Sequence, residues 1–166
     1  ISYHLDVCNQ SGCKEAADDF LEKTNGIDIV IANAGVGGAD KLFSGNTDAI
    51  NHILKVNILG VTNTIFPFLP VMKKQQSGSI IITSSTAGIF GFSHRSPYVT
   101  SKWGVIGLMK SLAIELGPYN IRVNAICPGS VEGERLEKVI DAEIKTKGMT
   151  REEIYDAYTA GTSMKK

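Results

Sequence analysis

GSIIITSS, residues 78–85, sets three isoleucines in a row between a glycine and a run of small hydroxyl residues. β-Branched side chains favour strands. Consecutive apolar positions leave no polar face, so this strand fits a sheet covered on both sides, as parallel strands are. IDIVIAN (27–33) and IRVNAIC (121–127) read the same way. Between them lie helical segments, one from 47 to about 74 and one from 97 to 116, the second closed by Gly117 and Pro118. Ahead of them, SGCKEAADDFLEKTNG (11–26) reads as a helix with Ala16, Ala17, Phe20 and Leu21 on its apolar face and Gly26 at its exit. Residues 1–7 read as one more short strand, and glycines 35, 37 and 38 open a loop after Asn33. Alternating strands and helices predict an α/β fold, a parallel sheet with helices on both faces.

Beyond the third strand the pattern changes. Residues 132–145 suggest a helix with Leu136, Val139 and Ile140 along one side. Thr150 and Glu153 form a capping box for a second helix over 151–159. Open α/β sheets bind ligands beyond the carboxyl ends of their strands. The segment 132–160 is therefore expected to be either a substrate-binding lid or a pair of ordinary packing helices.

The bulk numbers exclude several classes. The chain has 166 residues, the size of one domain, and 43% of them are hydrophobic, enough for a sizeable core. Lysine plus arginine number 17, as do aspartate plus glutamate, so no charge excess favours nucleic acid or an anionic membrane. Cys8, Cys13 and Cys127 are odd in number and suit a reducing compartment, here the cytoplasm, better than a disulfide scaffold. Nothing in their spacing resembles a metal site, and none is expected. NILGVTNTIFPFLPVM is broken by threonines, an asparagine and two prolines, which makes it a poor membrane span.

Several polar residues fall where apolar ones are expected. Asn33 ends one strand and Ser85 another, while Asn57 sits among Ile53, Leu54, Ile58 and Val61 on a helix face. Buried polar groups need partners. In HRSPYVTSKW (94–103), Tyr98 and Lys102 stand four apart behind Ser96, a possible cap, and Pro97, suited to a first turn. Spacing of four places both side chains on one helix face, where an ammonium favours an ionised phenol. Taken alone, that spacing favours a surface tyrosine beside a solvated lysine over a catalytic pair.

Taken together, ANAG (32–35), the asparagine of VNILG at 57, SSTAG (84–88), YVTSK (98–102) and NAICPG (124–129) resemble the classical short-chain dehydrogenase/reductase family, in the family's order. Ser85 lies thirteen residues before Tyr98, the family's separation of its serine and tyrosine. The resemblance implies a Rossmann-type doubly wound sheet and an alcohol dehydrogenase or ketoreductase using NAD or NADP. It makes Tyr98 the general acid when a ketone is reduced and the base when an alcohol is oxidised. Lys102 would hold the nicotinamide ribose, Ser85 the substrate oxygen, and Asn57 a water leading from Lys102 to solvent. Cofactor contacts would come from Asp6, Val7, Asn33, Ala34, Gly35, Pro128, Gly129 and Val131, besides Tyr98 and Lys102. Substrate contacts would come from Ser85, Ala87, Arg95 and Tyr98, and Arg95 would suit an anionic or polyhydroxylated substrate. The partner is then a small carbonyl or alcohol compound. A homodimer or homotetramer is expected through helices 47–74 and 97–116.

The likeness has gaps. No GxxxGxG precedes residue 32, and the stretch is expected to be the central part, 1–166, of a longer catalytic domain that also continues past TSMKK. The charges that choose NAD or NADP in such folds belong to that missing part. Where the family often places a threonine after the PG pair, PGSVEG places Gly133. A carbon–carbon double-bond reductase of the same superfamily is the alternative enzyme, though such enzymes commonly space tyrosine and lysine more widely. A nucleotide-binding or structural domain without catalysis is the other alternative, which the joint presence of Asn57, Ser85, Tyr98 and Lys102 disfavours.

Overall fold

The structure, a computed structural model, describes residues 1–37 and 45–160. It divides into two compact units, Ile1–Cys127 and Pro128–Lys166.

In the first unit, helix α1 (Gln10–Thr24) leads to strand β1 (Ile29–Ala32). A continuous helical run follows: α2 (Thr47–Leu54), a π segment (Lys55–Leu59), α3 (Gly60–Ile65), a 3-10 turn (Phe66–Phe68) and α4 (Leu69–Gln75). Then come β2 (Gly78–Thr83), a 3-10 turn (Thr86–Gly88), α5 (Ser96–Leu116) and β3 (Ile121–Ile126). The three strands are parallel in the order β1-β2-β3, with Ile29 beside Ser79 and Gly78 beside Ile121. The fold is a Rossmann-type α/β sheet.

Right-handed crossovers that always step in one direction put their helices on one face of a sheet. The burial follows that rule. Val30, Ala32, Ile80, Ile82, Ile121 and Val123 are buried against Val61, Ile65, Met72 and Val105 of the helices. Each fully buried isoleucine here stabilises the fold by about 1.5–3 kcal/mol. The opposite face carries Ile29, Ile31 and Ile126, each about half exposed. The helices α3–α5 therefore show the covering of one sheet face.

The segment 1–7, expected as a strand, is not one. No strand among the described residues lies beside it, so its backbone has no ladder to join there. It is tied down differently, with Asn63 Nδ2 donating to the Val7 carbonyl at 2.9 Å and the Val7 side chain lying against Gly60. The exit of α1 is Asn25, at φ 58°, rather than Gly26; asparagine tolerates the left-handed region nearly as well. Gln75, at the end of α4, then receives Ile27: its side-chain amide accepts from the Ile27 N–H at 3.1 Å and donates to the Ile27 carbonyl at 2.9 Å.

The run Thr47–Gln75 is long and apolar enough to cross a membrane by length and composition, contrary to the expectation from its prolines and threonines. Pro67 and Pro70 stand at the starts of short helical segments, where a missing N–H is tolerated. Ile53, Val56, Val61, Ile65 and Met72 are nonetheless buried in the protein core. Ile53, Asn57, Val61 and Ile65 recur every four residues, a spacing that drifts by about 40° per step around an α-helix. The π segment widens the turn and takes up part of that drift, holding Val56 and Asn57 inward. The glycine loop after Asn33 is described through Gly37, and Gly38 lies outside the described residues.

In the second unit, α6 (Glu134–Lys147) and α7 (Arg151–Thr159) pack on one another, and Ile140 and Ile154 are fully buried. Gly148, at φ 67°, ends α6. The capping box is present, Thr150 Oγ1 accepting from the Glu153 N–H and the Glu153 carboxylate accepting from the Thr150 N–H at 2.8 Å. That N–H, together with the Thr150 hydroxyl, which donates to the same carboxylate at 2.9 Å, holds the Glu153 carboxyl below the usual range. Arg151 bridges the α6 carboxylates of Glu137 and Asp141. Gly133 precedes α6 at φ 140°, a conformation that excludes the threonine of the family pattern without strain.

Candidate active site

The carboxyl ends of β1 and β2 and the first turns of α5 form one polar cluster. Pro97 sits in the opening turn of α5, and the helix starts at Ser96 with Arg95 as the residue before it, so Ser96 is not the cap. His94, at φ 61°, turns the chain sharply into that helix. Tyr98 and Lys102 are both buried on one side, with Lys102 Nζ 5.7 Å from the centre of the Tyr98 ring. Spacing of four on a helix has here become a buried pair, which decides against the surface reading.

Lys102 Nζ donates to the backbone carbonyl of Thr83 at 2.9 Å, at the end of β2. The Thr83 hydroxyl in turn donates to Asn33 Oδ1 at 3.0 Å, tying β2 to the end of β1. Ser84 Oγ donates to the Lys102 carbonyl at 3.0 Å. Thus the lysine is held by its side chain and its backbone to consecutive residues of one strand end. Ser85 is half-buried and extended, and its Oγ accepts from the Ala87 N–H at 3.2 Å. Ala87 is buried beside Ile53 and Tyr98, with Val36 and Val99 packed around them.

Asn57 is fully buried, and its side chain is occupied by protein. Its Oδ1 accepts from the Val36 N–H at 2.8 Å, and its Nδ2 donates to the Val36 carbonyl at 2.9 Å and to Ser101 Oγ at 3.0 Å. Both amide hydrogens are therefore used, and the side chain clamps the loop after Gly35. Any water that Asn57 anchors is left to its remaining acceptor capacity and its backbone carbonyl in the π segment.

Asp6 and Val7 lie in a turn before α1. Asp6 Oδ1 accepts from the Cys8 N–H at 2.8 Å, and that bond holds the carboxyl below its usual range, with Lys55 and His52 adding to the effect. The three cysteines are free, and burial pushes the Cys8 and Cys13 thiols up. No group of three His, Cys, Asp or Glu side chains suited to a metal occurs among the described residues. Pro128, Gly129 and Val131 belong to the second unit. Thr83, Ser84 and Ser101 are site residues that the sequence reading passed over. The signal for Ser101 was a hydroxyl in the middle of a helix directly beside Lys102.

A nicotinamide nucleotide fits this donor set. A Cβ on Gly35 would come to 3.3 Å from Asn57 Oδ1 and 3.5 Å from Lys102 Nζ, so the missing side chain leaves a recess lined by an ammonium and an amide. An ammonium in a recess suits hydroxyl-rich and anionic groups.

Comparison with known proteins agrees. A 3-oxoacyl-(acyl-carrier-protein) reductase of Thermotoga maritima is 37% identical over 137 residues, covering 82% of this chain and 56% of the reductase. A carveol dehydrogenase from Mycobacterium avium, solved in complex with NAD, superposes with a TM-score of 0.77 at 36% identity, over 80% of this chain and 49% of that one. ElxO, solved with NADP bound, superposes with a TM-score of 0.85 at 30% identity, over 99% of this chain and 63% of that one. The chain spans about half the length of the curated relatives it matches. The family model described as short chain dehydrogenase matches residues 1–144, and the chain belongs to that family.

Proposed function

We propose that this protein is an NAD(P)-dependent oxidoreductase acting on a secondary alcohol or its ketone, with Tyr98 as general acid and base. The observation that carries this reading is the buried Tyr98–Lys102 pair at the start of α5, fixed to the end of β2. Bound NAD or NADP would supply the hydride acceptor or donor. Lys102 and the recess at Gly35 would hold its ribose, with Asn33, Ala34, Asp6 and Val7 on the adenosine side. Tyr98 would pass a proton to or from the substrate oxygen, and Ser85 would donate a hydrogen bond to that oxygen as charge gathers on it. Ala87 and Arg95 would face the substrate. Pro128, Gly129 and Val131 would flank the nicotinamide, and 132–160 would serve as the lid. The relatives named above are a 3-oxoacyl-(acyl-carrier-protein) reductase and a carveol dehydrogenase, which fits a carbonyl or alcohol substrate. The free cysteines suit a reducing compartment such as the cytoplasm.

The test is to offer the full-length protein a panel of secondary alcohols with each oxidised nicotinamide, and the matching ketones and enones with each reduced one. Turnover of alcohols and ketones is expected. Turnover confined to enones would move the protein to double-bond reduction, and none with any substrate would overturn the proposal.

The same reading includes self-association. Leu59 and Phe66 on the long helical run, and Trp103 and Ile114 on α5, are half or more exposed. Apolar side chains on these two helices suit a two-fold pairing with a second copy, giving a dimer or tetramer. Light scattering at micromolar concentration should give at least twice the monomer mass, and a monomeric mass would refute it.

A further inference from the structure

Ser101 is fully buried, one residue before Lys102, in the interior of α5. Serine is a weaker helix former than alanine, so its presence there needs a reason in its contacts. Its hydroxyl hydrogen goes to the Tyr98 carbonyl at 2.7 Å. A hydroxyl has one hydrogen, so towards Asn57 its oxygen can only accept. That oxygen receives Asn57 Nδ2 at 3.0 Å.

This settles which way the Asn57 amide faces. With Nδ2 directed at Ser101, Oδ1 is left to accept the Val36 N–H, and the second Nδ2 hydrogen reaches the Val36 carbonyl. Turned over, the amide would set an NH₂ group against the Val36 N–H and an oxygen against the Val36 carbonyl. Both contacts would be repulsive. No buried side-chain polar atom among the described residues lacks a partner, so the line Tyr98–Ser101–Asn57–Val36 is satisfied throughout.

We infer that Ser101 is a positioning residue whose hydroxyl, acting through the Asn57 amide, locks the loop around Gly35 and Val36 to the helix that carries Tyr98 and Lys102. This rests on the reading of Tyr98 and Lys102 given above. Loss of the hydroxyl leaves the amide clamped on Val36 but unties that clamp from α5, and the recess at Gly35 then loses its fixed distance from Lys102.

The experiment compares Ser101→Ala, Ser101→Val and Ser101→Thr in the full-length protein. Threonine and valine have nearly the same shape and differ by the hydroxyl, so any crowding at the buried site affects both. The first readout is hydrogen exchange of the Val36 amide. Its protection should fall about tenfold or more in the alanine and valine variants and stay near wild type in threonine, as expected where a local bond, rather than the whole fold, limits opening. The second is turnover, expected to fall about tenfold or more without the hydroxyl, the scale of a small misplacement of reacting groups. The third is a cycle with Asn57→Ala: if Ser101 acts through Asn57, the double variant should be within about twofold of Asn57→Ala alone. Equal protection and equal turnover in the threonine and valine variants would overturn the inference, as would losses that multiply in the double variant. Normal turnover in Tyr98→Phe would instead remove the functional reading, while the exchange result would still judge the role of Ser101.

Discussion

Replacing Tyr98 with phenylalanine should cut turnover by about 10²-fold or more, the scale of a lost acid–base group. That is about 2.7 kcal/mol added to the barrier. Cofactor affinity should be nearly unchanged. The substitution is conservative in shape, because the ring of Tyr98 is buried with Ala87 and Ile53 and a phenyl ring fills the same space. Lys102 keeps its bond to the Thr83 carbonyl, which does not involve the phenol. What is removed is the hydroxyl alone, the group proposed to exchange a proton with the substrate oxygen. Steady-state kinetics and a fluorescence titration with reduced cofactor separate the two effects. Turnover near the wild-type value would take Tyr98 out of the mechanism.

The largest expected loss of stability comes from Gly88→Ala. A Cβ at this position would lie 2.4 Å from Ser84 Oγ, 2.8 Å from the Lys102 carbonyl oxygen and 3.2 Å from its carbon. Two of these three atoms are backbone of α5 and cannot swing aside. The third donates the hydrogen bond that ties Ser84 to that same carbonyl. The methyl would therefore push the 3-10 turn away from the helix or break the bond. Crowding of this kind costs about 3 kcal/mol. Gly107, on the same helix, is the matched control: nothing lies within 4 Å of its added Cβ. Gly107→Ala should be neutral or stabilising by up to about 1 kcal/mol. Urea unfolding of the two variants beside wild type gives the comparison. A Gly88→Ala protein as stable as Gly107→Ala would show that the turn yields freely. Because the displaced backbone belongs to Lys102, the Gly88 variant should also lose turnover, and the control should not.

Much of this was legible in the chain because apolar runs and their breaks report burial directly. The isoleucines of 80–82 and the alternation around them announced a central parallel strand, and β2 is one. The Thr150–Glu153 box was readable because capping is a local bond between near neighbours. Residues 1–7 were misread because strand composition does not supply a strand to pair with, and pairing decides. The exit of α1 was misplaced by one residue because asparagine and glycine both accept a left-handed turn, and Asn25 comes first. Tyr98, Lys102 and Asn57 were found as polar residues out of place, and the structure does bury them. Ser101 and Thr83 were missed for a different reason. Ser101 was read only as part of YVTSK, and Thr83 holds Lys102 by its carbonyl, an atom that every residue possesses.

That use of carbonyls and amides has an effect on how the sequence can change over time. Asn57 grips Val36 by its N–H and C=O, and Lys102 reaches the C=O of Thr83. For these bonds the side chains at 36 and 83 are interchangeable, so what restricts the two positions is the other work of their side chains, the Thr83 hydroxyl on Asn33 and the packing of Val36 against Ile53, Ala87 and Tyr98. Proline at 36 is the exception, since it has no N–H to give. These three bonds are thus asymmetric under substitution: the partners that reach out are fixed in identity, while for the bond itself the partners that receive are fixed only in place.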